Sequence, residues 1–129
     1  MLAEARQVLD FSQPIAVMLL AVLHFVTDEQ DPAGVIGTLM EPLAPGSYLA
    51  LGHHTADIFP EMEEFSRHLS RLNPEYTATM RTRDQVAELF GDLELVPPGV
   101  VQLSQWRPDS AYDADLPAAL WGGVGLKRH

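Results

Sequence analysis

Residues 15–51 read IAVMLLAVLHFVTDEQDPAGVIGTLMEPLAPGSYLAL, and the order of patterns within them decides the fold. Ile15 to Leu23 is apolar without alternation, the pattern of a strand buried on both faces of a parallel sheet. A buried helix is the rival. Pro14 before the run and the polar Thr27-Asp28-Glu29-Gln30 after it favour the shorter element, a central strand. Asp31-Pro32 then opens a helix, with Asp as N-cap and Pro at the first helical position. Val35, Ile36, Leu39, Met40 and Leu43 recur on one face of it, and Ala44-Pro45-Gly46 stops it. Ser47-Tyr48-Leu49-Ala50-Leu51 is a second strand, ending in Gly52-His53-His54-Thr55. Strand, helix and strand with short links make a βαβ unit, which implies parallel strands and a right-handed crossover.

Upstream, residues 3–10 look like the last turns of a helix, broken by Phe11-Ser12-Gln13-Pro14. A starting methionine so close to a helix end suggests that more of the fold lies before it. Downstream, a helix is expected from near Pro60, with Met62, Phe65, Leu69 and Leu72 on its buried stripe. Thr82-Arg83-Asp84-Gln85 is a capping box for a short helix carrying Val86, Leu89 and Phe90, closed by Gly91. Leu93–Val96 and Val100–Gln105 read as strands around a Pro97-Pro98-Gly99 bend. Pro108–Pro117 is acidic and turn-rich, and Trp121–Lys127 is a last strand. Residues 1–129 are read as one α/β domain portion.

Composition narrows the function. The chain has 129 residues, 47% of them hydrophobic, enough for a core. With 18 Asp+Glu against 8 Lys+Arg the net charge is −10, which disfavours nucleic acid and anionic membrane surfaces as partners. The absence of cysteine removes disulfides, cysteine-ligated zinc and thiol catalysis, and fits a cytoplasmic protein. The longest apolar run, Ile15 to Val26, falls short of the roughly 20 residues a membrane-spanning helix needs, and its flanks are not those of a signal sequence.

Open α/β sheets bind ligands beyond the carboxyl ends of their strands. That rule selects Leu23-His24-Phe25 after the first strand and Gly52-His53-His54-Thr55 after the second. A histidine there can act as a base or bond a ligand; it can equally be a core-edge histidine bonded to a carbonyl. Adjacent residues on a strand point to opposite faces, so His53 and His54 are not expected to share a metal ion, and no His-x-x-x-His spacing occurs. No metal site is expected. His68, beside Arg67 and Arg71, reads as a solvated helical residue, and Asp28, Glu29 and Asp31 as charges at a helix start. Neither a Gly-x-Ser-x-Gly elbow nor a phosphate-cradling glycine loop is present.

Several stretches together resemble a family of bacterial S-adenosylmethionine-dependent methyltransferases of the Rossmann-like class, most of them uncharacterised. They are Pro14–Ala33, Leu43–Ile58, Arg81–Val100, Gln105–Asp109 and Trp121–Arg128, in the family's order and covering nearly the whole chain. The resemblance implies a sheet of order 3-2-1-4-5-7-6 with an antiparallel last strand, of which this chain supplies 4-5-7-6, the C-terminal half. The family's glycine-rich cofactor turn and its ribose-binding acid have no counterpart here. The one glycine-rich stretch, Gly122-Gly123-Val124-Gly125, falls in the terminal strand. By the same resemblance Ala21, Val22, Leu23 and His24 would border the methionine part of S-adenosylmethionine; in-line methyl transfer can use a base for the acceptor's proton, and His24 is the first choice for that catalytic role. Phe25, His53, His54 and Thr55 would edge the acceptor, a small molecule; the second histidine departs from the family pattern. A homo-oligomer, or a missing N-terminal half, would cover the open sheet edge. The alternative to an enzyme is a non-catalytic truncated module that pairs with another chain. A histidine-based hydrolase, lacking a nucleophile or metal signature, comes last.

Overall fold

The computed structural model describes residues 1–75 and 77–129. Helix α1 (Leu2–Arg6) precedes strand β1 (Ala16–Leu20), and helix α2 (Pro32–Met40) crosses over to strand β2 (Tyr48–His54). Helices α3 (Glu61–Leu72) and α4 (Arg83–Glu88) follow, then the short strands β3 (Glu94–Leu95) and β4 (Val101–Gln102). Helix α5 (Ala111–Asp115) lies within the segment expected to be turns, and strand β5 (Leu120–Leu126) completes the sheet.

The sheet runs β1-β2-β5-β3, with β4 also paired to β5. β1 and β2 are parallel in the register Ala16↔Tyr48 to Leu20↔Gly52, whereas β5 is antiparallel to β2, β3 and β4. This is the expected 4-5-7-6 order with its antiparallel last strand, the sixth strand being split into β3 and β4. The split follows from the Pro97-Pro98-Gly99 bend, where Gly99 takes φ +82° and its N–H bonds the Val96 carbonyl. After Gln102 the chain enters a 3-10 turn, Leu103–Gln105, rather than continuing as a strand.

The local signals explain the elements they start. Asp31 caps α2 by accepting from the Gly34 N–H at 3.1 Å, and Thr82 and Gln85 close the capping box of α4. At the far end of α2, Lys127 Nζ donates to the carbonyls of Met40, Glu41 and Leu43 at 2.7–2.8 Å, tying the helix C-terminus to the end of β5. Ile36, Met40, Leu43, Leu49, Leu51, Val86, Leu89, Phe90 and Val100 bury together as the core.

Three expectations change. β1 is neither nine residues long nor buried on both faces. It stops at Leu20, because Ala21 takes φ +55° and turns the chain away. Val17 and Leu19 pack on the core, but Met18 and Leu20 on the other face are 64% and 46% exposed, with no strand described beyond this edge. On α3, Phe65 and Leu72 are exposed and Ser66 is the buried residue, because the helix lies over a cavity and not on the core. Val35 on α2 is also exposed, at the edge of its apolar stripe.

Candidate functional site

The carboxyl ends of β1 and β2 lie side by side, and the chain leaving each carries the histidines. His24 does not end a strand. It sits in a 3-10 turn, Leu23–Phe25, formed after the bend at Ala21, whose N–H bonds the Gly52 carbonyl at 2.8 Å. His53 and His54 are the last residues of β2 and take opposite faces, as the pleat requires.

On one face His53 meets Arg81. The guanidinium is 4% exposed and donates four hydrogen bonds. Nη1 reaches the Leu23 carbonyl at 3.1 Å and His53 Nε2 at 2.7 Å; Nη2 reaches the Val26 carbonyl at 2.8 Å and Asp28 Oδ1 at 2.9 Å. Arginine has no acceptor, so His53 Nε2 must accept. Its proton therefore sits on Nδ1, which donates to the His54 carbonyl at 2.8 Å. Burial pushes the His53 pKa down to about 4, with the Arg81 charge adding to that and the bond to the His54 carbonyl opposing it. His53 is thus a fixed neutral strut. Thr55, fully buried, is also structural: its hydroxyl accepts from the Asp57 N–H at 3.0 Å. Neither is among the residues that line the cavity on the other face.

The other face holds a small cavity of about 190 Å³, lined among the described residues by His24, His54, Met62, Phe65, Ser66 and Met80. The two imidazoles meet edge to face with centroids 4.5 Å apart, and Phe25 lies 4.0 Å from His24 on its other side. Thr79 N–H donates to the His24 carbonyl at 2.7 Å, and Arg81 N–H to the His54 carbonyl at 3.3 Å. The segment through Met80 thereby bridges both histidines. The Nδ1 atoms of His24 and His54 are sealed in with no hydrogen-bond partner, so Nε2 is the nitrogen each can present to the cavity. Burial lowers the pKa of both, with the neighbouring imidazole adding to the effect at His24. The geometry agrees, since a second proton would place an N–H on a buried Nδ1 that nothing accepts. Both rings are neutral near pH 7.

The remaining candidates lie outside this cavity. Val22 is 48% exposed and Leu23 is packed into the core beneath the turn. Among the described residues no three metal-ligating side chains gather. The sequence patterns missed Arg81, Met62, Phe65, Ser66 and Met80 as site residues. A lone arginine beside a capping box was the one available hint.

The profile of the S-adenosyl methyltransferase family matches residues 1–128. The chain belongs to that family. It is 38% identical to a protein of the DUF574 family from Streptomyces avermitilis, with a TM-score of 0.87 over 95% of this chain and 47% of that one. It is 34% identical to a Thermobifida fusca protein proposed to be a methyltransferase, with a TM-score of 0.85 over 98% of this chain and 48% of that one. A SAM-dependent methyltransferase from Methanosarcina mazei shares the fold at 18% identity and a TM-score of 0.61, over 92% of this chain and 61% of that one. No protein of curated function is detectably similar. The chain spans just under half the length of the first two solved relatives. No helix described here is long and apolar enough to cross a membrane.

Proposed function

We propose that the chain is the C-terminal half of an S-adenosylmethionine-dependent methyltransferase domain, acting in the bacterial cytoplasm on a small-molecule acceptor. The observation that carries this reading is the His24–His54 cavity at the carboxyl ends of two parallel strands, in a chain matched to the family over residues 1–128. Ala21, Val22, Leu23 and His24 border the methionine side of the cofactor in this reading, and Phe25 and His54 the acceptor side. The residues fit one wall of such a centre and not the whole. Cavities for drug-sized ligands run to about 300–1,000 Å³, and no carboxylate among the described residues lines this one to take ribose hydroxyls. The remaining contacts belong to the part of the domain outside this chain.

S-adenosylmethionine, when bound, supplies a methyl carbon on a cationic sulfur, open to in-line displacement. This chain's residues position the acceptor and handle its proton. His24, neutral and presenting Nε2, takes that proton as the acceptor oxygen attacks. Arg81 holds the turn that carries His24, through the Leu23 and Val26 carbonyls. To accept at Nε2 the neutral ring must carry its own proton on Nδ1, where it is buried and unpaired, at about 1–3 kcal/mol, so the benefit of this base falls toward the low end of the usual range.

The complete domain, made by joining or co-expressing this chain with the half it lacks, tests the reading. In a radiolabelled methyl-transfer assay His24→Ala should lower turnover around 10²-fold, and His68→Ala, exposed on α3, should leave it unchanged. Equal activity of the two variants would remove His24 from the mechanism. One observation favours a second reading, a non-catalytic module that pairs with another chain: the open β1 edge carries exposed Met18, Leu20 and Val22. No methyl transfer by the complete domain would select it.

A further inference from the structure

Resting on that reading, we infer that the His24–His54 cavity selects an uncharged acceptor of single-ring size that carries a hydroxyl, and excludes carboxylates and ammonium groups. Apart from the two histidines, the walls are Met62 and Phe65 from α3, Met80 from the bridging segment, and Ser66, whose hydroxyl donates to the Ala78 carbonyl at 3.3 Å. Although the chain carries a net charge of −10, no charged side chain among the described residues lines the cavity. The nearby guanidinium is on the opposite face of β2, where both its Nη groups are taken up by two carbonyls, His53 and Asp28. Without cofactor, a carboxylate would therefore meet no cationic side chain among the described residues, and an ammonium group no anionic one. Burying either unpaired is strongly unfavourable.

The two histidines specify the polar group. Each presents one nitrogen, Nε2, and neither can take a second proton without orphaning a buried N–H. Burial of Nδ1 places the His54 proton on Nε2, whereas the role of His24 as base requires a bare Nε2, so a hydroxyl can accept from His54 Nε2–H and donate to His24 Nε2 at once. A carbonyl or an ether only accepts, so it can pair with His54 and leaves the bare His24 Nε2 without a donor. Size sets the rest. A dry cavity of about 150 Å³ accommodates a benzene ring, so about 190 Å³ accommodates one ring with a small substituent.

The test is binding of phenol, toluene, benzoate and benzylammonium to the 129-residue chain without cofactor, followed by NMR of the imidazole signals. Phenol should shift the His24 and His54 resonances saturably. The other three should bind at least about tenfold more weakly, equivalent to roughly 1.4 kcal/mol. His54→Leu should lose the preference of phenol over toluene. Met62→Trp, a change on a solvent-facing helix that leaves the sheet alone, should fill the cavity and abolish phenol binding while the circular dichroism is retained. A charged probe binding as well as phenol, toluene matching phenol in the unmodified chain, or phenol binding that survives Met62→Trp would overturn the inference. The methyltransferase reading fails separately. Phenol binding by a complete domain that never transfers methyl would refute only the reaction, whereas methyl transfer to a carboxylate or an amine would refute only the selectivity.

Discussion

Burying a guanidinium is unfavourable unless every N–H it hides is paired, and Arg81 shows what such pairing does for its neighbours. The exposed Asp28 contributes little, because solvent screens that pair. The carbonyls of Leu23 and Val26 and the ring of His53 are the partners that matter. Arg81→Met keeps the volume and removes the donors, and should cost of order 3 kcal/mol in urea unfolding. The His53 strut adds a pH dependence of definite sign. Its folded pKa of about 4 lies below the unfolded value of 6.5, so the unfolded chain takes up the proton first as pH falls. Its contribution to stability is complete above about pH 6.5 and is lost as pH falls toward 4, amounting to about 2 kcal/mol by pH 5. The lowered pKa values of His24 and His54 act in the same direction. Urea midpoints measured from pH 7.5 to 5 should fall, and His53→Gln should flatten that slope; a slope unchanged by the substitution would refute the assignment.

Among the elements, β5 shows why a glycine-rich run need not be a phosphate loop. A Cβ on Gly125 would lie 2.8 Å from Phe90 Cδ1 and 2.9 Å from Leu93 Cβ, and one on Gly123 would lie 3.2 Å from Phe90 Cζ. These glycines are clearances through which the end of α4 and the following turn seat against the sheet. Leu93 Cβ is next to the backbone and cannot swing aside, so Gly125→Ala should destabilise by about 1–3 kcal/mol. Gly37, inside α2, is the contrast. Nothing lies within 4 Å of its added Cβ. Gly37→Ala should stabilise by about 0.5–1 kcal/mol through helix propensity. Thermal melts of the two variants should move in opposite directions.

For the whole molecule the open edge of β1 dominates behaviour. Its outer backbone has no neighbouring strand among the described residues, and Met18, Leu20, Val22 and Phe25 leave apolar area in water beside it. The 129-residue chain by itself should self-associate in light scattering, and Met18→Lys should shift it toward monomer. It should also bind S-adenosylmethionine no more tightly than about millimolar in calorimetric titration, since each missing buried hydrogen bond costs on the order of 1 kcal/mol or more. Tight cofactor binding by a clean monomer would overturn the half-domain reading.

What the sequence determined by itself was whatever is written within a few neighbouring residues. Asp31-Pro32 and Thr82–Gln85 mark helix starts because a cap and its partner N–H lie three residues apart. The βαβ order follows from short links between apolar runs, and the parallel pairing of β1 with β2 from that order. The placement of His24 and His54 at the carboxyl ends was legible for the same reason. Tertiary structure alone decided which histidine is strut and which faces the cavity. Arg81 reaches His53 across 28 positions and Leu23 across 58, and no local period records a contact of that span. It also decided that Phe65 stays exposed while Ser66 is buried, because periodicity identifies an apolar stripe but not whether a core or a cavity lies beneath it.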